Sequence, residues 1–425
     1  MKIKSVRGTH DILPDTVAVW HKIESTTREL FKLYGYSELR TPIFEDTELF
    51  SRSIGMGTDI VQKEMYTFNQ NKNKTVSLRP EGTAPVVRAY IEHALHRQTT
   101  VNKFYYIGPM FRRERPQKGR YRQFHQIGVE VLGSDAPALE GEVIEMLHRL
   151  MGQLGLHQFE LLVNSVGCAT CRPHYINILC RDIDKTKKSF CTDCQHRFQN
   201  NPLRILDCKI RSCQPFIENL PSILDHLCSN CQDHLSQLRL YLELLKVPHR
   251  LSSRLVRGLD YYVRTTFEIT SKYLGPTQNA IVGGGRYDGL SEILGGPRIQ
   301  GFGFALGMER LIWLLSEKED SFSLNQSSPP DLFLVYLDKS SLELSLKLAQ
   351  ELRGQGVFVY IDFQKKSVKA QMRLANRMNA RFTCVIGEDE TKSGYFQIKR
   401  MKDGQKVALT RETLADFFNP SLSPI

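Results

Sequence analysis

Arginine residues beside a strand-like stretch with a polar face are the first feature of this chain that could do chemistry. The segment 111–133, FRRERPQKGRYRQFHQIGVEVLG, has six Lys or Arg and one Glu in its first half. Side chains alternate between the two faces of a strand. In the second half, one face is apolar, with Ile127, Val129 and Val131. The other face has Phe124, Gln126, Gly128 and Glu130.

This combination suits a nucleotide or another small polar ligand. An arginine at a strand end, such as Arg112, can hold a phosphate through two parallel hydrogen bonds, and an aromatic ring such as that of Phe124 can stack on a base. The stretches 103–114 and 121–133 enclose a turn with Pro and Gly, which predicts a long hairpin. The alternative is an exposed antiparallel hairpin whose polar face is only solvated.

Four further stretches combine glycine with charged side chains. They are 78–85 (LRPEGTAP), 254–269 (RLVRGLDYYVRTTFEI), 282–290 (VGGGRYDGL) and 301–311 (GFGFALGMERL). The third is predicted to be a glycine loop, and the fourth a strand that runs into a helix with Arg310. None is a P-loop or a dinucleotide fingerprint. Taken alone, a buried arginine is more often part of a structural ion pair than a phosphate clamp.

Composition limits the class of protein. The chain has 425 residues, enough for two or three domains, with 57 basic and 46 acidic residues and a net charge of +11. This excess favours an anionic partner, such as nucleic acid or a nucleotide, without establishing one. No apolar run is long enough to span a membrane, and the N-terminus lacks the apolar core of a signal peptide. We therefore expect a cytoplasmic protein whose ten cysteines are reduced thiols or metal ligands.

The patterning along the chain predicts three parts. Residues 331–425 alternate between strand and helix patterns, which favours a small α/β domain with a mainly parallel sheet. Its predicted strands are 331–338, 357–362 and 382–387, and its predicted helices are 340–356 and 367–380. A polar, Ser-rich stretch, 319–330, is the predicted linker. Nine cysteines fall within 168–231, so 168–250 is predicted to be an insertion into a domain formed by 1–167 and 251–318.

The insertion contains three CxxC pairs, at 168–171, 191–194 and 228–231, with Cys208 and Cys213 nearby. Two such pairs that come together make a tetrahedral zinc site. The predicted ligands are Cys191, Cys194, Cys228 and Cys231. Because the 33 residues between these pairs exceed the common spacing, reduced cysteines without a metal are an equal alternative.

A basic stripe is predicted on the helix 367–380. Lys369, Arg373, Arg377 and Arg381 recur every four residues, so they should share one helix face. Such a stripe suits an RNA backbone. The alternative is an ordinary solvated helix face.

Taken together, these segments resemble the histidyl-tRNA synthetase family of class II aminoacyl-tRNA synthetases almost from end to end. YGYSELRTPIFE (34–45) is similar to class II motif 1, MFRRERPQKGRYRQFHQIGVEV (110–131) to motif 2, and GFGFALGMERL to motif 3. The local pattern predicts a helix at 27–36, which leads into motif 1, and a strand at 37–45. RLVRGLDYY (254–262) and GGGRYDGL (283–290) resemble the two segments that distinguish the histidine enzyme from its class II relatives.

The resemblance implies an α+β fold. A class II antiparallel sheet flanked by helices would be joined by the insertion domain and by an anticodon-binding-like α/β domain. The implied activity is the activation of histidine with ATP and Mg²⁺, followed by transfer of histidine to tRNA(His). In the family the Pro of motif 1, here Pro42, lies at a dimer interface, which implies a homodimer.

The resemblance also assigns roles to residues. Arg112 would hold the α-phosphate and Arg310 the γ-phosphate, with Phe124 on adenine and Glu114 also at ATP. The histidine-binding set would be Glu81, Gly82, Thr83, Gln126, Glu130, Tyr261 and Tyr262. Within it, Glu81, Thr83 and Gln126 would bind the α-amino end, and Glu130 and Tyr262 the imidazole nitrogens. Arg257 would stabilise the transition state, and the basic turn 113–120 would face the tRNA acceptor end.

Two other functions compete with this one. A synthetase-like regulatory subunit of histidine biosynthesis tends to lack the motif arginines and the C-terminal domain, whereas Arg112, Arg257 and Arg310 are all present here. A plain RNA-binding module would not need an amino-acid pocket with Glu81, Gln126 and Glu130.

Overall fold

The computed structural model describes residues 3–71, 74–117, 119–275, 279–316 and 329–418. The chain divides into two compact units, 1–323 and 324–425. Most of the predicted linker, residues 319–328, lies outside the described residues. Among the helices that are described, none is long and apolar enough to cross a membrane.

The helices of the first unit are α1 Pro14–Leu33, α2 Thr47–Ile54, α3 Thr83–Glu92, α4 Pro137–Gln153, α5 Cys171–Thr186, α6 Thr192–Asn200, α7 Gln214–Glu218, α8 Ser229–Leu244, α9 Leu290–Ile293 and α10 Met308–Ser316. Its strands are β1 Ser37–Glu38, β2 Phe44–Asp46, β3 Thr67–Asn71, β4 Lys74–Leu78, β5 Asn102–Phe111, β6 Gln123–Leu132, β7 Glu160–Ser165, β8 Arg250–Leu251, β9 Val263–Thr270, β10 Ala280–Arg286 and β11 Gly301–Gly307.

An eight-stranded sheet of order β1-β5-β6-β11-β10-β9-β7-β8 organises this unit. The pairs from β5 to β7 are antiparallel, and only the two edge pairs, β1 with β5 and β7 with β8, are parallel. The predicted α+β class with a large antiparallel sheet is therefore confirmed. The predicted hairpin is β5 and β6, in which Tyr106 lies opposite Gly128 and Gly108 opposite Gln126.

The apolar face of β6 meets the core as the alternation predicted. Ile127, Val129 and Val131 are all 0% exposed and share one apolar cluster with α1 and α4. Burial of each such side chain contributes about 1.5–3 kcal/mol. Buried side chains of the predicted insertion, including Tyr175 and Leu238, belong to the same cluster. The insertion therefore belongs to the first unit and shares its apolar core.

The helix that precedes motif 1 is longer than predicted and ends three residues earlier, at Leu33. α1 starts at Pro14, a residue suited to the first turn because it has no backbone N–H to satisfy. The chain leaves the helix at Gly35, which takes a left-handed φ of 78°. The predicted strand 37–45 is two short pieces, β1 and β2, which belong to different sheets.

The predicted glycine loop at 282–290 is wrong in its first half. Gly283, Gly284 and Gly285 lie inside β10, paired with β9 on one side and β11 on the other. Any larger residue at Gly283 or Gly284 would clash with its neighbours. A Cβ at Gly283 would lie 1.9 Å from Nη2 of Arg257, and one at Gly284 would lie 2.4 Å from the carbonyl oxygen of Gly303.

The second unit has the elements β12 Leu332–Tyr336, α11 Lys339–Gly354, β13 Val359–Ile361, α12 Val368–Arg377, β14 Phe382–Ile386, α13 Glu388–Ser393, β15 Tyr395–Arg400, β16 Lys406–Thr410 and α14 Arg411–Phe417. The sheet order is β13-β12-β14-β15-β16. The three predicted strands are parallel neighbours, but β15 and β16 add two antiparallel pairs. The parallel pairing of the three predicted strands is therefore confirmed, but the sheet as a whole is mixed rather than mainly parallel.

The basic stripe on α12 is shorter than predicted. Lys369, Arg373 and Arg377 are exposed on the helix. Arg381 follows the end of α12, and its Nη1 pairs with Asp331 at 3.0 Å. The helix stops at Arg377 because the chain turns through Asn379, at φ 53°, into β14.

Candidate active site

A cavity of about 600 Å³ in the first unit has ten of the twelve predicted site residues in its wall. They are Glu81, Thr83, Arg112, Glu114, Phe124, Gln126, Arg257, Tyr261, Tyr262 and Arg310. They come from the turn after β5, from β6, from the N-terminal end of α3, from the loop before β9, and from α10. Phe124 and Gln126, on the hairpin face that was predicted to bind a ligand, thus line this cavity. Gly82 and Glu130 do not line it.

Gly82 leaves space for Tyr106, which was not among the predicted site residues. A Cβ at Gly82 would lie 2.2 Å from Cζ of Tyr106, and one at Gly128 would lie 2.0 Å from the same atom. The Tyr106 ring therefore fills the space that both glycines leave. Its hydroxyl is buried and has no hydrogen-bond partner among the described residues, yet the side chain lines the cavity. The pairing of Tyr106 with Gly128 across the hairpin is the sequence signal that could have found it.

Glu81 is fixed to the beginning of α3. Its two carboxylate oxygens accept hydrogen bonds from the backbone N–H groups of Thr83 at 2.7 Å and Ala84 at 3.0 Å. The free N–H groups of a helix start stabilise a carboxylate there. Burial nevertheless raises the pKa of Glu81. A carboxylate has about four lone-pair sites, so two remain for a ligand with N–H donors.

Glu130 lies one hydrogen bond behind the cavity wall. Thr83 Oγ1 donates to its Oε1 at 2.7 Å, and the hydroxyl of Tyr287 donates to its Oε2. Burial raises the pKa of Glu130 to about 8. Tyr287 was not among the predicted site residues, although it lies within the quoted segment 283–290. Thr83 lines the cavity, so its hydrogen bond connects Glu130 to the cavity wall.

Gln126 offers the cavity an unused acceptor. Its Oε1 is buried, and no hydrogen-bond partner for it occurs in the described parts of the chain. A buried polar atom without a partner is costly by about 1–3 kcal/mol. A ligand donor such as an ammonium group would remove that cost.

The rings of Tyr261 and Tyr262 pack against each other at a tilt of 52°, with centroids 4.8 Å apart. Burial raises the pKa of both hydroxyls, that of Tyr262 to about 12. Both hydroxyls are therefore protonated at neutral pH and can donate hydrogen bonds.

Three of the predicted arginines line the same cavity, namely Arg112, Arg257 and Arg310. Arg112 donates from Nε to the carbonyl of Pro80 at 2.9 Å, and its guanidinium lies 5.4 Å from the centroid of the Phe124 ring. Arg310 donates to the carbonyls of Gly119 and Ala280. Burial lowers the pKa of Arg310 to about 10, so it keeps its charge at neutral pH.

Arg257 is paired with a carboxylate that sequence reasoning missed. Its Nη1 contacts Glu268 of β9, and its guanidinium lies over Gly283. Burial alone would lower the pKa of Arg257, but the Glu268 carboxylate outweighs it and the pKa is raised. A second missed carboxylate, Glu309, accepts from the backbone N–H of His125 at 2.8 Å. Glu268 lies in the segment 254–269 and Glu309 in the segment 301–311. Roles in these segments were predicted for the arginines and not for these two carboxylates.

The predicted insertion contributes to the cavity as well. Arg197 and Arg204 line it, and Arg204 Nη1 donates to the carbonyl of Gly258 at 3.3 Å. This carbonyl precedes Tyr261 and Tyr262 by a few residues. No pattern in the sequence indicates that a residue of 168–250 reaches the site.

The basic turn of the hairpin is largely at the surface. Arg113, Arg115 and Arg120 are exposed. Arg120 forms an ion pair with Glu114 at 2.8 Å, and Arg113 donates to the carbonyl of Lys63 at 3.3 Å. Lys118 lies outside the described residues.

The predicted set of zinc ligands is wrong. Cys191 and Cys194 come together with Cys208 and Cys213, whereas the pair 228–231 meets the pair 168–171. Spacing could not decide this, because the partner of a CxxC pair depends on how α5, α6 and α8 pack.

An antiparallel sheet whose hairpin, glycine strand and following helix place arginines around one cavity is the catalytic architecture of a class II aminoacyl-tRNA synthetase. Residues 8–171 match a profile of the histidyl-tRNA synthetase family, and residues 331–419 match one of an anticodon binding domain. The chain is 47% identical to the histidine–tRNA ligase of Syntrophotalea carbinolica, covering 97% of both chains.

Other comparisons agree with this. The chain is 48% identical to the histidine–tRNA ligase of Geobacter sulfurreducens, covering 97% of this chain and 99% of that one. A crystal structure of apo histidyl-tRNA synthetase from S. aureus, 36% identical, superposes with a TM-score of 0.82 and covers 98% of this chain and 100% of that one. The chain belongs to the histidyl-tRNA synthetase family.

Proposed function

We propose that this chain, as a histidine–tRNA ligase, activates histidine with ATP in the 600 Å³ cavity and then transfers it to tRNA(His). The histidine carboxylate attacks the α-phosphorus of ATP. An oxygen–phosphorus bond forms, the bond to the β-phosphate oxygen breaks, and diphosphate leaves. A hydroxyl of the terminal ribose of the tRNA then attacks the carbonyl carbon of histidyl-adenylate, and AMP leaves.

The observation that carries this proposal is that two kinds of side chain line the same cavity. Arg112, Arg257 and Arg310 provide fixed positive charge. Glu81, Gln126 and Tyr262 provide acceptors and a donor. Charge develops on the non-bridging oxygens of the α-phosphate during the attack, and fixed cations stabilise it without a protein nucleophile.

In this proposal, ATP lies against Phe124, with Arg112 at the α-phosphate and Arg310 at the γ-phosphate. Mg²⁺ would be bound by ATP oxygens and Glu114, because carboxylate oxygens are ligands that Mg²⁺ prefers. Oε2 of Glu114 is buried and makes no hydrogen bond within the described chain, although Arg120 lies 2.8 Å away. The metal would neutralise phosphate charge.

Histidine would lie with its ammonium group at Glu81, Thr83 and Gln126. The hydroxyl of Tyr262 would donate to one imidazole nitrogen, with Tyr261 packed beside it. Glu130 reaches the cavity only through Thr83 in the described conformation, so direct contact with the second imidazole nitrogen requires it to exchange that partner. Two polar contacts to one ring discriminate strongly against apolar analogues, which would leave buried groups unpaired.

The tRNA contacts that we propose use both units. Arg113, Arg115 and Arg120 would face the acceptor end, because they are exposed beside the cavity residue Glu114. Lys369, Arg373 and Arg377 on α12 would contact the tRNA backbone. Phosphate contacts of this type give affinity and register rather than base specificity.

We further propose a homodimer that forms through motif 1. β2, β4 and β3 make a separate three-stranded sheet, and directly paired residues share a face. Phe44 pairs with Leu78, and Phe68 with Val76, so four apolar side chains share one face, together with Asp46 opposite Val76. Phe44 and Phe68 are 59% and 52% exposed. An exposed apolar face on a segment that begins just after Pro42 suits a subunit interface.

The experiment that tests the activity is exchange of labelled diphosphate into ATP without tRNA, across the twenty amino acids. Exchange should occur with histidine alone. Arg257→Ala should reduce it at least about a hundredfold, as expected for loss of a charge that stabilises the transition state. Arg239→Ala, an exposed arginine on α8, is the matched control and should leave it unchanged. Absence of exchange with every amino acid would favour the regulatory-subunit alternative.

A further inference from the structure

Eight of the ten cysteines form two compact clusters. Cluster A consists of Cys168, Cys171, Cys228 and Cys231, and cluster B of Cys191, Cys194, Cys208 and Cys213. Within each cluster the four Sγ atoms lie within 4.8 Å of one another. The two remaining cysteines, Cys180 and Cys384, belong to neither cluster.

The sulfur separations match the edges of a metal tetrahedron and are longer than a disulfide bond. Sγ of Cys168 lies 3.8 Å from that of Cys171 and 3.7 Å from that of Cys228. In cluster B, Sγ of Cys191 lies 3.9 Å from that of Cys208. A disulfide requires about 2.05 Å. Four sulfurs at about 2.3 Å from a zinc ion form a tetrahedron with edges of about 3.8 Å.

The backbone around both clusters favours thiolates. The N–H groups of Cys168 and Thr170 donate to cysteine sulfurs at 3.3 and 3.4 Å in cluster A. The N–H group of Cys191 donates to Sγ of Cys213 at 3.3 Å in cluster B. Three clustered cysteines lie at helix starts, where the helix dipole stabilises negative charge. They are Cys171 at α5, Cys191 at α6 and Cys228 at α8.

We propose that each cluster binds one structural Zn²⁺ through four thiolates. Each binding event replaces four thiol protons with one Zn²⁺, so four protons are released to solvent. Four protein ligands complete the coordination of zinc and leave no position for substrate, which makes both sites structural rather than catalytic. Tetrahedral sulfur sites also suit iron, so the metal must be identified directly.

Cluster A would hold the starts of α5 and α8 against the loop that precedes β9. Arg172, next to Cys171, donates to the carbonyls of Val166 at 2.9 Å and Gly167 at 3.3 Å. It also donates to the carbonyl of Tyr262, whose side chain lines the cavity. The metal would therefore position the backbone of a proposed histidine-binding residue.

Cluster B would support the opposite part of the same loop. Cys191 and Cys208 themselves border the cavity. The segment between Cys194 and Cys208 includes Arg204, which donates to the carbonyl of Gly258 at 3.3 Å. Both metals would thus fix the insertion against residues 258–262.

Metal analysis of the purified full-length chain, together with X-ray absorption at the zinc edge, tests the proposal. We expect two zinc ions per chain, each with four sulfur neighbours at about 2.3 Å. Fewer than two zinc ions, iron in their place, or nitrogen or oxygen neighbours would overturn it. This measurement uses the unaltered protein, so it does not depend on whether a variant folds.

Single substitutions then assign the metals. Cys231→Ser in cluster A and Cys194→Ser in cluster B should each reduce the zinc content from two ions to one. Cys180→Ser is the matched control, because Cys180 lies on α5 outside both clusters, and it should retain two. Retention of both ions by either cluster variant, or loss of one by the control, would contradict the assignment.

Discussion

The ring of Tyr106 lies between Gly82 and Gly128. The shape of the cavity therefore depends on both positions having no side chain. In Gly128→Ala the new Cβ would lie 2.0 Å from Cζ of Tyr106. The ring must move, and overpacking of this kind costs about 1–3 kcal/mol. Because Tyr106 lines the cavity, we expect the KM for histidine to rise by about tenfold or more, measured by diphosphate exchange.

Gly152→Ala on α4 is the control for that substitution. A Cβ at Gly152 would meet nothing within 4 Å. Alanine is favoured over glycine in a helix by up to about 1 kcal/mol. The control should therefore keep the KM and unfold at equal or higher urea concentration. An unchanged KM in Gly128→Ala would show that the Tyr106 ring does not shape the histidine site.

The buried carboxyl of Glu130 should make stability depend on pH. Its pKa is raised from an ordinary 4.5 to about 8. Between these values the folded chain binds more protons than the unfolded chain, so this group's contribution to the free energy of unfolding falls as pH rises. Glu130→Gln removes that contribution. The stability of the variant relative to the parent should rise by up to about 1.4 kcal/mol per pH unit from pH 5 to 8.

Urea unfolding at several pH values measures this difference. Glu292→Gln, at an exposed position on α9, is the control and should track the parent at every pH. If Glu130→Gln also tracked the parent, Glu130 would not be held in its protonated form by burial.

Single residues show where sequence reasoning succeeds and where it stops. Alternation along β6 predicted which side chains face the core and that Phe124 and Gln126 lie on the opposite face, which lines the cavity, because the period of a strand is fixed by its backbone. It could not predict that Glu130 forms a hydrogen bond with Tyr287, a residue 157 positions away. Nor could it pair the cysteines, since their grouping is decided by tertiary packing. The roles proposed for the site residues come from resemblance to a family, because periodicity alone could not assign them.

Helices and strands were predicted best where local pattern and tertiary packing agree. β12, α11 and β14 are close to their predicted bounds, because each is bounded by turn or capping residues; Asp338, for example, caps α11 through the N–H of Ser341 at 2.8 Å. The glycine strand β10 was missed, since glycine is rare in strands and its neighbours are distant in sequence.

The exposed basic face of α12 is predicted to contact tRNA. Charge reversal in Arg373→Glu with Arg377→Glu should raise the KM for tRNA without changing diphosphate exchange, because the two units have separate cores. If both residues contact phosphates, the slope of log affinity against log salt should fall by about 1 for each. Filter binding and aminoacylation at several salt concentrations measure both effects.

Lys347→Glu is the control for α12, because Lys347 is exposed on α11 of the same unit. It changes the net charge in the same direction but lies outside the proposed RNA face. An equal loss of tRNA affinity in the control would indicate a general charge effect. An unchanged tRNA KM in the double variant would reject the contact.

At the scale of the whole molecule, the apolar face of the β2-β4-β3 sheet predicts the oligomeric state. A twofold dimer uses the same patch on both copies, so one substitution alters the interface twice. Burying an unpaired charge costs roughly 2 kcal/mol at each site, and two sites weaken the dimer by about a thousandfold. Phe44→Asp should therefore convert a dimeric parent into a monomer at micromolar concentration, measured by sedimentation equilibrium. Leu240→Asp, at a side chain 60% exposed on α8, should leave the dimer intact. A monomeric parent, or a Phe44→Asp variant as dimeric as the control, would place the interface elsewhere or remove it.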